Sequence, residues 1–155
     1  MGGELLGLDG ISHYHHTCDA IALEDSNFCQ IPYSRLEEML HEVVGLQHHF
    51  HKIMSHEIVR AHGVMLLLGS MRAEARVASF LLGLVHRLQA RGFSALSMVL
   101  RMTREGIGSD LGLKLETVSR AFSRFQEDRL LEVSQRNVRI VDKEGLHRLL
   151  SEAPC

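Results

Sequence analysis

The side chains best placed for chemistry lie between Lys114 and Arg124, where the chain reads Lys-Leu-Glu-Thr-Val-Ser-Arg-Ala-Phe-Ser-Arg. At helical spacing Val118, Ala121, Phe122 and Phe125 share one apolar face, while Glu116, Ser119, Arg120, Ser123 and Arg124 share the other. The polar set suits the reading of base edges. An Arg guanidinium donates bidentately to guanine O6 and N7, a Glu carboxylate accepts from cytosine N4, and a Ser hydroxyl does either. Thr103, Lys114, Thr117, Ser123 and Arg124 around this segment, with Arg136 and Arg139 beyond it, are candidates for holding phosphates.

Such a face needs a scaffold, and residues 104–123 fit a helix-turn-helix. Ile107 and Leu111 point inward from the first helix, and Gly108 is small where the second must cross it closely. Gly112 supplies a left-handed residue at the tight turn, and Leu113 plugs that turn. Thr103 caps the first helix. Further on, Leu131-Glu132-Val133, a turn at Ser134-Gln135-Arg136-Asn137, and Val138-Arg139-Ile140-Val141 make a hairpin over 131–141, the wing of a winged helix. Asp142 caps a short helix, and 146–155 is expected to be a tail. Upstream, Ala78, Leu81, Val85 and Leu88 mark one helix face, ended by Arg91-Gly92-Phe93 as a Schellman stop with Phe93 packing back. Met98 to Arg101 reads as a short strand. Residues 71–145 form the expected DNA-binding domain.

Residues 34–70 are expected to supply a partner helix. Ser34-Arg35-Leu36-Glu37 has the form of a capping box. Phe50, Met54, Ile58, Ala61, Met65 and Leu68 then recur at spacings of three and four, a narrow seam suited to self-association. Gly69-Ser70 is expected to break that helix, with Ser70 capping the next. Residues 1–33 hold two strand-like runs, Cys18 to Leu23 and Asn27 to Ile31, around the polar break Glu24-Asp25-Ser26. A hairpin alone is marginal in water, so these read as the end of a larger sheet.

The charges divide by position. Residues 1–70 carry three Lys/Arg against nine Asp/Glu, and residues 71–141 carry twelve against seven, within a chain of net charge −2. A basic half beside an acidic one agrees with nucleic-acid contact by the basic half. Of 155 residues, 45% are apolar, enough for a core. No run approaches a membrane span, the start lacks the basic region of a signal peptide, and Leu6 stands where a myristoylation motif wants Ser or Thr. The three cysteines, Cys18, Cys29 and Cys155, form no disulfide framework. A reduced, cytoplasmic protein is the expectation. There is no glycine-rich phosphate loop, nucleophile elbow or separated carboxylate pair, so an enzyme is not expected. His13, His15 and His16 lie near Cys18, and His48 and His51 are one helical turn apart. They offer two or three ligands but no four-ligand pattern, so no metal is expected.

These stretches resemble the C-terminal half of the CRP/FNR family of bacterial transcription regulators, and most closely its FNR branch. The likeness is carried by Cys29-Gln30-Ile31-Pro32-Tyr33, Val64-Met65-Leu66-Leu67-Leu68, Arg91-Gly92-Phe93-Ser94 and Met102 to Gln126, with the triplet Glu116, Ser119 and Arg120. The resemblance implies a mostly α fold with small β (α+β): a long dimerisation helix, then a winged helix-turn-helix, preceded by the remnant of a cyclic-nucleotide-binding-like β-barrel. It implies a dimer on a palindrome of TTGAT-like half-sites in double-stranded DNA. Glu116 and Arg120 would read the G·C pair and Ser119 a neighbouring thymine. RNA polymerase would be the further partner.

Departures from the family pattern are informative. The chain reads as an N-terminally truncated copy. FNR-type sensors hold a 4Fe–4S cluster on four cysteines, of which Cys29 matches one and the other three are absent, so no cofactor is expected here. Ala61 replaces an Asp whose charge would oppose its symmetry mate, which favours dimerisation without a signal. Gly106 removes half a capping box, Asp110 adds negative charge near the DNA, and Arg129 replaces a glycine after the second helix. Together these suggest relaxed selection. The rival readings are a module that pairs through 34–70 with an intact paralogue, as a heterodimer, and a non-functional remnant.

Overall fold

The computed structural model describes residues 5–23, 25–93 and 96–151. Glu24, Ser94 and Cys155, which entered the sequence reading, lie outside the described residues. The chain divides into two compact units, Met1–Glu57 and Ile58–Cys155.

In the first unit a short helix, α1 (Gly10–His13), precedes α2 (Tyr33–Glu42) and the first part of α3 (Val44–Ser70). The Asp9 carboxylate accepts from the Thr17 N–H at 2.6 Å and from its hydroxyl at 3.0 Å. These bonds, with help from His16, hold the Asp9 pKa down at about 2. The two expected strands do not form: the described residues of 18–31 are irregular and exposed. Strands need neighbours to satisfy one edge and cover one face, and among the described residues of this unit no strand offers either. The expected capping box is also absent. Helix α2 starts after Pro32, one residue before Ser34, with no side-chain cap. Pro32 fixes φ at −57° and is suited to a helix entrance.

The second unit is built on α4 (Ala73–Gln89), α5 (Arg104–Leu111), α6 (Leu115–Glu127) and α7 (Lys143–Ser151), with β1 (Ser97–Val99), β2 (Leu131–Ser134) and β3 (Asn137–Ile140). The strands form one antiparallel sheet of order β1-β3-β2, so the short strand near Met98 joins the wing. Register sets Leu131 opposite Ile140, Glu132 opposite Arg139 and Val133 opposite Val138. Period-2 alternation turns Leu131, Val138 and Ile140 inward and leaves Arg139 outside.

The core gathers Val77, Ala78, Leu81 and Val85 of α4 with Ile107 and Leu111 of α5. Val118, Phe122 and Phe125 of α6 and Leu146 of α7 complete it. Leu146 is fully buried and Leu149 and Leu150 pack on the same cluster, so the expected tail is helical as far as Ser151.

Two further details differ from expectation. Helix α3 continues through Gly69 to Ser70, whose hydroxyl donates back to the Leu66 carbonyl at 2.6 Å, and α4 starts after Arg72 without a side-chain cap. The stop at Gly92 has the expected form: φ is 76°, the Phe93 N–H reaches the Leu88 carbonyl at 3.1 Å and the Gly92 N–H reaches Gln89 at 2.9 Å. Phe93, however, is 64% exposed and does not pack back.

Candidate nucleic-acid interface

The geometry of the α5–α6 turn follows from two glycines. Gly112 takes φ 61°, a left-handed conformation that costs an L side chain roughly 1 kcal/mol or more. Its C-cap position sends the chain from α5 into α6 in a few residues. At Gly108 a Cβ would stand 2.5 Å from the Leu113 carbonyl oxygen, so the backbone of the turn presses on α5 closely enough to exclude any larger residue, while Val118 of α6 would lie in ordinary contact at 3.6 Å. Thr103 accepts from the Gly106 N–H at 3.0 Å and fixes the start of α5. Half the capping box thus operates without an acidic residue at 106.

With Val118, Ala121, Phe122 and Phe125 buried, the opposite face of α6 looks outward. Glu116, Arg120, Ser123 and Arg124 are exposed, and Ser119 and Thr117 are half-buried. Among the described residues Glu116 and Arg120 have no ion-pair or hydrogen-bond partner within the protein. Lys114 precedes the helix, exposed, at its N-cap position. At the tip of the wing Gln135 takes φ 55°, and Arg136 beside it is exposed. The Arg136 carbonyl accepts from the Leu100 N–H at 2.8 Å, which ties the tip to the chain leaving β1.

Two candidate phosphate contacts are engaged elsewhere. Arg124 donates to Glu74 on α4 at 2.8 Å and lies 3.8 Å from Asp128. Arg139 donates twice to Glu132. Sequence reasoning missed Glu74, and it missed Arg104, whose guanidinium sits 3.2 Å from the centroid of the Phe122 ring. That contact is a cation–π pair across the two helices of the motif, and partial burial pulls the Arg104 pKa downward.

The seam residues of α3 divide. Phe50 and Met54 are half-buried, whereas Ile58, Ala61, Met65 and Leu68 are exposed, Ile58 by 53% and Met65 by 67%. Val59, Val64 and Leu66, outside the expected seam, are exposed as well. Cys18 and Cys29 are both exposed. Among the described residues no three His, Cys, Asp or Glu side chains are grouped to hold a metal ion, and no helix is long and apolar enough to cross a membrane.

Two helices joined by a tight left-handed turn, the second bearing a polar outer face, and a hairpin following it define a winged helix-turn-helix protein. Residues 75–149 match the Crp-like helix-turn-helix domain. The chain is 45% identical over 155 residues to the transcriptional regulatory protein btr of Bordetella pertussis, covering all of this chain and 64% of that protein. It is 38% identical over 149 residues to the fumarate and nitrate reduction regulatory protein of Escherichia coli, covering 96% of this chain and 60% of the relative. The structure of FixK2 from Bradyrhizobium japonicum superposes with a TM-score of 0.69 at 37% identity, over 75% of this chain and 57% of that one. The chain belongs to the CRP/FNR family of transcriptional regulators, in its FNR-like branch. It spans less than two thirds of the length of these relatives.

Proposed function

We propose that this chain binds DNA sequence-specifically as a dimer and regulates transcription in the cytoplasm. The observation that carries this reading is the outer face of α6, where Glu116 and Arg120 stand exposed and unpaired beside Ser119. Arg120 has the fork to take guanine O6 and N7, Glu116 accepts from the paired cytosine, and Ser119 serves a neighbouring thymine. Thr103, Lys114, Thr117, Ser123 and Arg136 supply phosphate contacts, and Arg124 and Arg139 join them only by leaving their carboxylate partners. Dimerisation uses the exposed apolar side chains of α3, among them Ile58, Met65 and Leu68, a kind of surface that suits burial against a partner helix. RNA polymerase is the further partner suggested by the family.

The iron–sulfur cluster of FNR-type sensors does not fit the residues present. Two exposed cysteines among the described residues are too few for four thiolate ligands, and only Cys29 falls at a family ligand position.

The test is binding of the full chain to a duplex carrying a palindrome of TTGAT half-sites, titrated at several salt concentrations. A homodimer is expected on the DNA, with affinity falling steeply as salt rises. Arg120→Ala should cost roughly 1–3 kcal/mol and relax discrimination at one base pair. An unchanged sequence preference refutes the role of Arg120. Binding only after addition of an intact family member shows a heterodimer module instead.

A further inference from the structure

The guanidinium of Arg76 is the meeting point of three chain segments. Its Nη2 donates to the Leu68 carbonyl at 2.6 Å, its Nε to the Met71 carbonyl at 3.0 Å, and its Nη1 to the Leu111 carbonyl at 3.3 Å. Leu68 lies in the last turn of α3, Met71 in the link to α4, and Leu111 is the last residue of α5, next to the helix-turn-helix turn. Carbonyls at helix ends have no intrahelical donor and carry the negative end of the helix dipole, so a cation set between two such ends is favoured by both. A second observation places the same elements together. A Cβ at Gly112 would lie 3.6 Å from Leu68 Cδ2 and 3.8 Å from Arg76 Nη1, so the end of α3 abuts the turn itself.

We propose that Arg76 is a positioning residue, which fixes the end of α3 against the turn of the helix-turn-helix and thereby sets where a dimer holds its two reading helices. The inference rests on the dimeric DNA-binding reading above. In a dimer joined through α3, the separation of the two α6 helices is transmitted through this junction, and half-site spacing in the DNA has to match it. The planar fork of Arg reaches three differently directed carbonyls at once. The ammonium of Lys, a point charge, satisfies fewer of them.

Two measurements on the full chain test this. Spin labels at Val64→Cys and Gln126→Cys, with Cys18, Cys29 and Cys155 replaced by Ser and the labelled chain diluted in unlabelled chain, report the distance from α3 to α6 within one subunit. The distribution should be narrow with Arg76, broad in Arg76→Ala and intermediate in Arg76→Lys. On DNA, Arg76→Ala should reduce the preference for the matched palindrome over one lengthened by half a helical turn by about fivefold or more, with half-site affinity retained. A distance distribution and a spacing preference both unchanged in Arg76→Ala overturn the proposal, whatever happens to thermal stability. If the unsubstituted chain does not prefer two half-sites to one, the dimeric reading fails, and the label distances still decide whether Arg76 fixes α3.

Discussion

Across the wing, Arg139 donates to both carboxylate oxygens of Glu132, from Nε at 3.0 Å and from Nη2 at 2.8 Å, on residues that face each other in β2 and β3. Hydrogen bonding and charge lower the Glu132 pKa and raise that of Arg139. Both side chains are largely exposed, so the pair adds little to stability. Its consequence is directional: a guanidinium held by a carboxylate is withheld from a phosphate. Glu132→Gln should therefore tighten DNA binding and steepen the log–log dependence on salt by about one unit. Titration of the variant at several salt concentrations checks this. An unchanged slope means that Arg139 meets no phosphate.

Gly108 and Gly83 make a matched pair of glycines on helices. A Cβ at 108 would meet the Leu113 carbonyl, a backbone atom that cannot swing away, whereas nothing lies within 4 Å of a Cβ at 83. Gly108→Ala should lose roughly 1–3 kcal/mol of stability by overpacking, and DNA binding with it. Gly83→Ala, in exposed helix, should gain about 0.5–1 kcal/mol by limiting the unfolded chain, with DNA binding unchanged. Urea unfolding of both variants gives the comparison. Equal effects would show that the turn at Leu113 does not press closely on residue 108.

The contrast between those glycines also explains what was legible in the sequence. The α5–α6 unit could be read because its determinants are local: an apolar stripe at spacings of three and four, a left-handed glycine, a threonine cap. The wing could be read because alternation and a short turn are local too. The strand-like runs of 18–31 form no strand among the described residues, since strand patterning has meaning only when a neighbouring strand and a covering layer exist. Ser34 and Ser70 have the right chemistry for caps, yet Pro32 starts one helix earlier and α3 runs on to Ser70. The pairing of β1 with β3, and the contacts of Arg76, Arg104 and Glu74, join residues distant in sequence. Charge spacing along the chain carries no trace of such partners. The roles assigned to Glu116, Ser119 and Arg120 come from side-chain chemistry and family resemblance, and the structure adds the exposure of Glu116 and Arg120 beside a half-buried Ser119.

Asp142 gives the wing-to-α7 junction a pH dependence. Its Oδ1 accepts from the Gly145 N–H at 2.8 Å and its Oδ2 from Arg148 at 3.0 Å. The Gly145 bond is the larger cause of a pKa lowered from the usual aspartate value, burial opposes it, and the Arg148 charge adds to it. A carboxyl with a folded-state pKa below its unfolded value of about 3.9 stabilises the fold fully above that value. The contribution is lost as pH falls through the depressed folded value. Asp142→Asn retains an acceptor for the cap but cannot ionise. The stability difference between the parent chain and this variant should be constant near neutral pH and shrink below about pH 4. Denaturant unfolding across that range checks it; a difference that grows on acidification would reverse the sign and exclude Asp142 as its source.

The end of α6 repeats the stop at the end of α4 with the wrong residue at its centre. At α4 the Phe93 N–H bonds to the Leu88 carbonyl around Gly92 at φ 76°. At α6 the Leu130 N–H bonds to the Phe125 carbonyl at 2.8 Å, and the Arg129 N–H to that of Gln126 at 3.1 Å, around Arg129 at φ 56°. Leu130 is buried, so the chain is obliged to make this turn for its side chain to enter the core. An L residue held left-handed costs roughly 1–2 kcal/mol, and glycine gives back part of that relief through its greater freedom in the unfolded chain. Arg129→Gly should therefore stabilise the fold by about 0.5–1 kcal/mol, raising the urea midpoint with the slope unchanged. The reverse substitution, Gly92→Arg, imposes the same conformation where no arginine now sits and should lower the midpoint by a similar amount. Because α6 ends at this turn, the strain sits beside the helix proposed to read DNA. If Arg129→Gly leaves the midpoint unmoved while Gly92→Arg lowers it, contacts of the Arg129 side chain offset its backbone cost.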